Sequence, residues 1–277
     1  MPPAKDFRWE EDISVSSLVD QYRNIGLQAS QVERAAQAII KMYKADATIY
    51  LTYTSNMVTS GLRGFFAQLI ELGVVDIVST TVGGIEDMMK AMGERFDVSD
   101  FGPDDVELYE QGVNRVGNLR IRDESYERFE DTMRPLLNDL HEERSRWTPS
   151  EMFRRMGERF DDDQSILVQA QRNNVPIFCP AVTDGSFGFH LYLYQQRNED
   201  FVVDVVKDFK NIVEATTYDD KKGVISLGGS ISKHHALLSC LLNGGLHYAV
   251  YMTTGTRSSG SMSGATTDEA KSWGKLD

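Results

Sequence analysis

The sequence predicts one α/β domain over residues 1–277, a single Rossmann-like, doubly wound and mainly parallel sheet with helices on both faces. Short runs rich in β-branched and aromatic residues alternate with longer segments whose apolar residues recur at helical spacing. Small polar or glycine-bearing loops follow the short runs, and this strand–loop–helix rhythm is typical of parallel sheets. Because no linker-like change of composition interrupts the rhythm, we assign one domain rather than two.

The N-terminal third contains a leading helix and two strand–loop–helix units. The helix near residues 30–43 opens on Ser30 and Glu33, which form a capping-box pattern, and it has one apolar face. The parts that follow are, in order, a strand at 47–53, a polar loop at 54–60, a helix at 62–70, a buried strand at 74–79, a turn at 80–84 and a helix at 85–92.

The middle of the chain follows a different pattern. Residues 93–122 are acidic and interrupted by glycine and proline, so we predict irregular structure there. A helix at 124–141 comes next, and Pro135 is expected to bend it. Thr148 opens a further helix, with proline at its first position and Glu151 three residues after the cap.

The C-terminal part returns to the first rhythm. Its predicted parts are, in order, a strand at 175–179, a polar loop at 183–186, a helix at 199–214, a strand at 223–227, a turn at 228–230, a helix at 233–242, a strand at 246–252 and a Ser/Gly/Thr-rich loop at 253–264. In such sheets, ligands bind beyond the carboxyl ends of the strands. We therefore expect the loops that follow the strands to meet at one edge and to form the binding site.

Composition and charge narrow the classes of function. The formal charge of −13 and the pI near 4.9 argue against a nucleic-acid binder and are compatible with a cationic ligand. No apolar run approaches the roughly 18 residues of a membrane span, and no signal-peptide core is visible at the N-terminus. The two cysteines, Cys179 and Cys240, form neither a disulfide framework nor a zinc pattern, so we expect a cytoplasmic protein.

Two glycine-bearing turns are candidate anion sites. Residues 81–84 and 228–230 could present backbone N–H groups at a helix N-terminus, although neither is a full dinucleotide fingerprint and each could be a plain tight turn. Glu86 and Asp87 could bond ribose hydroxyls or simply complement a helix dipole.

Histidine and lysine are the candidate reactive groups. One of His234 and His235 should point to the ligand edge, with a structural role as the alternative. No metal site is expected, because no carboxylate or third histidine lies at a useful spacing. Lys275 is either a Schiff-base nucleophile or an exposed lysine of the chain end.

Six segments in this order resemble deoxyhypusine synthases, and the similarity extends from about residue 9 to the last residue. They are residues 54–61, 80–86, 114–119, 180–186, 233–235 and 268–275. The resemblance implies an NAD-dependent enzyme that takes the aminobutyl group of spermidine and transfers it to a lysine of the hypusine-containing translation initiation factor. It also implies a homotetramer with active sites at dimer interfaces.

The resemblance assigns roles to individual residues. Lys275 matches the lysine that carries the imine, and His234 matches the histidine proposed to handle the proton during polyamine oxidation. The matches around the polyamine are Glu86, His234, Glu269 and Trp273. The matches on the NAD side are Ser55, Asn56, Thr59, Thr81, Gly83, Asp87, Asp184, Gly228, Gly229, Thr254 and Gly260.

The chain departs from the family pattern at several polar positions. The positions that differ are Phe189, Ser230, Leu238, Ser259 and Met262, and the family has acidic residues at three of them: Phe189, Ser259 and Met262. The family also continues beyond the lysine into a strand and a helix, whereas this sequence ends at Asp277. Two further hypotheses therefore stay open: an aminobutyl transferase using putrescine or agmatine, like a homospermidine synthase, and a catalytically weak regulatory paralogue.

Overall fold

The computed structural model describes residues 3–85 and 87–276. The helices are α1 Val15–Tyr22, α2 Gln28–Lys44, α3 Ser55–Met57, α4 Arg63–Glu71, α5 Asp87–Ala91, α6 Asp105–Glu110, α7 Asp123–Glu143, α8 Pro149–Gly157, α9 Ile166–Arg172, α10 Ser186–Gln195, α11 Val205–Glu214, α12 Ser230–Leu241 and α13 Thr267–Ser272. The strands are β1 Thr48–Tyr53, β2 Ile77–Thr80, β3 Asp97–Val98, β4 Val113–Val116, β5 Leu119–Arg122, β6 Arg146–Trp147, β7 Ile177–Phe178, β8 Val202–Val203, β9 Lys222–Leu227 and β10 Tyr248–Met252.

A parallel sheet forms the centre of the molecule. Among the described residues it has five strands in the order β10-β9-β1-β2-β7, and every neighbouring pair is parallel. In the central strand β1, Leu51 pairs with Val78 on one side and with Ile225 on the other. The predicted α/β class is therefore confirmed, and the five predicted strands are the five strands of this sheet.

Helices cover both faces of the sheet. Ile49, Leu51 and Tyr53 of β1 belong to a large core on one face, whereas Tyr50 belongs to a smaller core with Ile212 and Leu237 on the other. Because the strand is buried on both faces, its sequence is nearly continuous in apolar residues rather than alternating.

The prediction of irregular structure at 93–122 was wrong. This segment forms a three-stranded antiparallel sheet in the order β3-β5-β4, together with α6. The two-residue connection of β4 and β5 starts at Gly117, whose φ of 62° suits a tight hairpin turn. Asp104 begins α6 by accepting hydrogen bonds from the backbone of Val106 and Glu107. Strand β4 is mostly exposed, and the alternation of buried and exposed residues in β5 is only four residues long, so the sequence pattern did not mark this hairpin.

Helix boundaries also differ from expectation at two places. Ser30 and Glu33 do not form a capping box: α2 begins at Gln28, and the buried Glu33 carboxylate binds Arg23. The helix expected at 199–214 begins only at Val205, because Asp204 caps it and residues 202–203 pair with β6. The helices that the sequence analysis missed are α1, α3, α6, α9, α10 and α13.

The helix α8 forms as the sequence indicates. Thr148 Oγ1 accepts the Glu151 backbone N–H at 3.3 Å, and the Glu151 carboxylate accepts the Thr148 N–H at 2.9 Å. These reciprocal bonds are the predicted capping box, with Pro149 at the first helical position. Helix α7 runs through Pro135 from Asp123 to Glu143.

Candidate active site

Lys275 lies at the end of a short segment that is held at both ends. Thr266 caps α13 by accepting the Glu269 N–H at 3.2 Å, and the Lys275 N–H donates to the Ala270 carbonyl at 3.1 Å. The Lys275 carbonyl in turn accepts the Leu246 N–H at 3.0 Å, just before β10. The residue is 6% exposed, so the alternative of an exposed lysine at the chain end is wrong.

The Lys275 amine lies beside a histidine and an aromatic ring. Its Nζ is 3.4 Å from His234 Nε2 and 5.2 Å from the centroid of the Trp273 ring. Burial lowers the pKa of His234, and the neighbouring Lys275 charge lowers it further. A neutral imidazole at this distance can accept a proton from the amine.

The two consecutive histidines have different surroundings. His235 is buried near the Phe178 and Phe209 rings, with its Nδ1 3.5 Å from Ser79 Oγ. Burial lowers the pKa of His235 to about 4, so it is neutral inside the core. Of the two histidines, His234 is the one that lies beside Lys275, and its contact with a ligand stays a prediction.

A narrow, mainly apolar pocket adjoins Lys275. Its lining residues are Lys233, Leu237, Tyr251, Met262, Ala265, Thr266, Glu269, Ala270, Trp273 and Lys275. Among the described lining residues Glu269 supplies the carboxylate, and it lies at the exposed rim. Trp273 is 66% exposed and forms an open wall. The pocket therefore suits a short methylene chain with a cationic end.

The loops beyond the strands meet at one edge, as expected from parallel pairing. The Ser55 N–H donates to Thr81 Oγ1 at 3.0 Å, which joins the loops after β1 and β2. The Ser230 N–H donates to Ser263 Oγ at 3.0 Å, which joins the loops after β9 and β10. The Gly228 N–H donates to the Met252 carbonyl at 2.7 Å at the same edge.

Glycine is required twice in the turn before α12. Gly228 has a φ of 89°, in the left-handed region, and an added Cβ would lie 2.9 Å from Thr54 Oγ1. An added Cβ on Gly229 would lie 2.5 Å from Ser263 Cα, too close for any side chain. Three loops thus pack closely around the N-terminus of a helix, an arrangement that suits a phosphate group.

Comparison with known proteins identifies the family. A family model described as deoxyhypusine synthase matches residues 17–277. A "Probable deoxyhypusine synthase" from Schizosaccharomyces pombe is 39% identical over 95% of this chain and 80% of the relative. A "Deoxyhypusine synthase" from Caenorhabditis elegans is 36% identical over 96% of this chain and 79% of the relative.

The chain belongs to the deoxyhypusine synthase family.

A solved structure agrees with this family assignment. The crystal structure of "a putative deoxyhypusine synthase from Entamoeba histolytica" matches with a TM-score of 0.63 and 33% identity, covering 83% of this chain and 80% of that chain. In this deoxyhypusine synthase family member, none of the described helices is both long and apolar enough to cross a membrane.

The remaining NAD-side candidates lie on the loops of this edge. Thr59 Oγ1 donates to the Asn56 carbonyl at 3.2 Å, so both lie on one turn. Gly83 lies in the 3₁₀ turn Val82–Gly84 after β2. Three further candidates lie on exposed loop positions: Asp184, Thr254 and Gly260. Their contact with NAD stays a prediction.

Asp87 differs from its expected position. The carboxylate is fully buried, where one oxygen accepts from Arg63 and the other accepts from Ser165 Oγ and the Leu167 N–H. Burial raises the pKa of Asp87, and Arg63 opposes that effect. Since both oxygens are engaged inside the protein, we do not include Asp87 among the proposed ligand contacts. Glu86, expected at the polyamine, lies outside the described residues.

Phe189 and Met262, two of the positions at which the resemblance implies acidic family residues, lie in different places. Met262 lines the pocket beside Lys275. Phe189 is 59% exposed on α10, where its ring lies near His190 and Tyr192. Within the described residues, Phe189 does not contribute to that pocket.

Lys233 and Tyr251 line the pocket but were not assigned a role from the sequence. Lys233 directly precedes His234 and His235. Its position next to a candidate reactive residue was the one feature of the sequence that could have indicated a role at the site. Tyr251 lies in an apolar strand, where nothing in the sequence separates it from a core residue.

Proposed function

We propose that the chain is an NAD-dependent transferase that moves the aminobutyl group of spermidine to a specific lysine of the hypusine-containing translation initiation factor. The observation that carries the proposal is the buried Lys275, whose Nζ lies 3.4 Å from His234 Nε2 in a member of this family. Spermidine and the initiation factor are the partners that membership of this family implies.

Lys275 would serve as the amine nucleophile. An ammonium must lose a proton before it attacks an imine or carbonyl carbon, and His234 is placed to accept that proton. The fixed backbone of Lys275 limits where its Nζ can reach, which favours one reactive geometry.

The apolar pocket would hold the aminobutyl chain. Trp273, Tyr251 and Leu237 offer apolar surface to the methylene groups, and the Glu269 carboxylate can accept a hydrogen bond from the distal ammonium. The lining thus matches a tetramethylene chain with one cationic end.

NAD would supply the hydride acceptor for amine oxidation. The close-packed Gly228-Gly229 turn supports phosphate binding there, together with Ser55, Asn56 and Thr81 on the neighbouring loops. We further propose a homotetramer with active sites at dimer interfaces, which sedimentation of the purified chain would test.

Release of 1,3-diaminopropane tests the proposal. Incubation of the protein with NAD, spermidine and the acceptor factor should release this diamine and label the factor. The Lys275→Arg variant keeps a cation but should lose activity, because a guanidinium does not form the imine. Equal release by both proteins would contradict the role of Lys275, and no release by the folded wild-type protein would contradict the function.

A second candidate is aminobutyl transfer from a smaller amine. Met262 lines the pocket at a position where the family has an acid, and Glu269 is the carboxylate among the described lining residues. A less acidic pocket favours a donor with fewer charges, such as putrescine or agmatine. Product masses measured across these amines without a protein acceptor would distinguish it, since the first function gives no such product.

A further inference from the structure

Lys233 is a buried cation whose assigned partners carry no charge. Its side chain is 1% exposed, its Nζ donates to the Ala265 carbonyl at 3.1 Å, and it lies 4.4 Å from the centroid of the Tyr251 ring. Burial lowers the pKa of Lys233, and the more distant Glu269 charge opposes this effect. Burying an ammonium against neutral partners costs stability, so stability does not explain a lysine here.

The two neighbouring residues Lys233 and His234 contact opposite ends of one segment. Ala265, which accepts from Lys233, directly precedes the Thr266 cap of α13. Lys275, which lies beside His234, follows the last turn of the same short helix. Helix α12 therefore holds the start of the segment through Lys233 and meets its reactive end through His234.

We propose that Lys233 is a positioning residue: by holding Ala265 against α12, it fixes α13 so that the Lys275 amine stays within reach of His234 and the pocket. The proposal rests on the function proposed above, because it takes Lys275 as the nucleophile. Lys233 itself takes no part in bond making.

The surrounding contacts explain why a lysine suits this task. The Tyr251 ring attracts the cation from one side, so the ammonium points at the single carbonyl that leads into α13. A second, independent contact between the Ser230 N–H and Ser263 Oγ holds the preceding loop. Removing the Lys233 ammonium should therefore loosen α13 without detaching the whole loop.

Reductive labelling of lysines tests the proposal without NAD or spermidine. Butanal forms an imine with a free amine and releases water, and cyanoborohydride then reduces the imine to a stable alkylamine. Mass spectrometry of peptides gives the labelling rate of Lys275 relative to Lys271, an exposed lysine on α13. The ratio, measured from pH 6 to pH 10, reports the environment of Lys275 rather than folding.

In Lys233→Met we expect this ratio to fall on the order of tenfold or more, because small displacements of reacting groups cost much of their reactivity. Lys233→Arg keeps a donor for the Ala265 carbonyl and should restore most of the ratio. Lys221→Met removes an exposed lysine outside the site and serves as the matched control. The melting temperature of Lys233→Met should not fall, since a buried ammonium is removed.

Three other results would contradict either the positioning role of Lys233 or the proposed function. A wild-type ratio in Lys233→Met overturns the positioning role. A lower melting temperature with equal changes at Lys271 and Lys275 also overturns it, because it shows a purely structural role. A wild-type Lys275 that labels no faster than Lys271 at any pH contradicts Lys275 as the nucleophile, and hence the proposed function itself.

Discussion

The protonation of His234 controls whether it can accept a proton from Lys275. Burial and the Lys275 charge hold the pKa of His234 below its ordinary value of 6.5. The imidazole is therefore mostly neutral, and able to act as a base, at pH 6.5 and above. The contact that lowers this pKa joins Lys275 and His234, which are 41 residues apart in the sequence.

The first prediction concerns the pH dependence of turnover. The acid limb of the pH–rate profile should have its midpoint below pH 6.5, because the base loses activity only when His234 becomes protonated. His234→Gln should lower turnover by about 100-fold or more and remove this limb. Steady-state rates across pH 4.5–8 check the prediction, and an unchanged acid limb in the variant would contradict it.

The burial of His235 leads to a separate prediction about how stability depends on pH. Its pKa is about 4 in the folded protein and near 6.5 when unfolded, so the unfolded state takes up the proton first. The contribution of the neutral His235 to the free energy of unfolding is therefore fully present above pH 6.5. It is lost as pH falls towards 4, and the loss is at most about 3 kcal/mol. Urea unfolding across this range measures the slope.

The matched variant is His235→Phe, which keeps an aromatic ring near Phe178 and Phe209. Ser79 keeps a partner in this variant, because its hydroxyl also bonds the Ser232 carbonyl. The variant should lose much of the acid-dependent slope while staying folded. A slope identical to that of the wild type would show that other groups cause it.

At the scale of elements, the loop edge depends on close packing at Gly229. In Gly229→Ala the new methyl group would lie 2.5 Å from Ser263 Cα, so the loop 253–264 must move away from α12. Overpacking of this kind costs about 1–3 kcal/mol. We expect a lower melting temperature and a larger loss of NAD affinity, measured by titration calorimetry.

Gly102→Ala is the control for this variant, since nothing lies within 4 Å of its added Cβ. It should change neither the stability nor the affinity. If Gly229→Ala lowers stability but binds NAD like the wild type, the Gly228-Gly229 turn is structural and the proposed cofactor edge is wrong.

Burial decides which elements the sequence could predict. Strands β1 and β9 of the central sheet are buried on both faces, and their nearly continuous apolar runs are visible in the sequence. In the hairpin β4–β5, strand β4 exposes Asn114 and Arg115, and the apolar alternation of β5 is too short to mark a strand. Helix α10 was missed because both its buried Phe187 and its exposed Phe189 are apolar, which leaves no amphipathic period.

The candidate site was only partly predictable from the sequence, because several of its contacts join residues that are distant in the chain. The family motifs predicted that Lys275 and His234 share one site, and the structure places their side chains 3.4 Å apart although they are distant in the chain. They did not reveal that Asp87 is enclosed by Arg63 and Ser165, since burial of a carboxylate depends on tertiary partners. The role of Lys233 likewise depends on a carbonyl 32 residues away.

At the scale of the whole molecule, net charge and local charge differ. The chain carries a formal charge of −13, which attracts cationic amines over long range. The pocket itself is lined by Lys233 and Lys275, with the Glu269 carboxylate at its rim. The net negative charge of the whole chain thus favours the approach of an amine, whereas the apolar walls of the pocket and Glu269 determine which amine fits.

The central claim is that Lys275 carries the aminobutyl group during transfer. The most direct measurement is borohydride trapping of the protein incubated with NAD and spermidine but no acceptor, followed by peptide mass spectrometry. We predict an aminobutyl adduct on Lys275 and none on Lys233 or in Lys275→Arg. An adduct on another residue, or release of 1,3-diaminopropane from Lys275→Arg at the wild-type rate, would contradict the account.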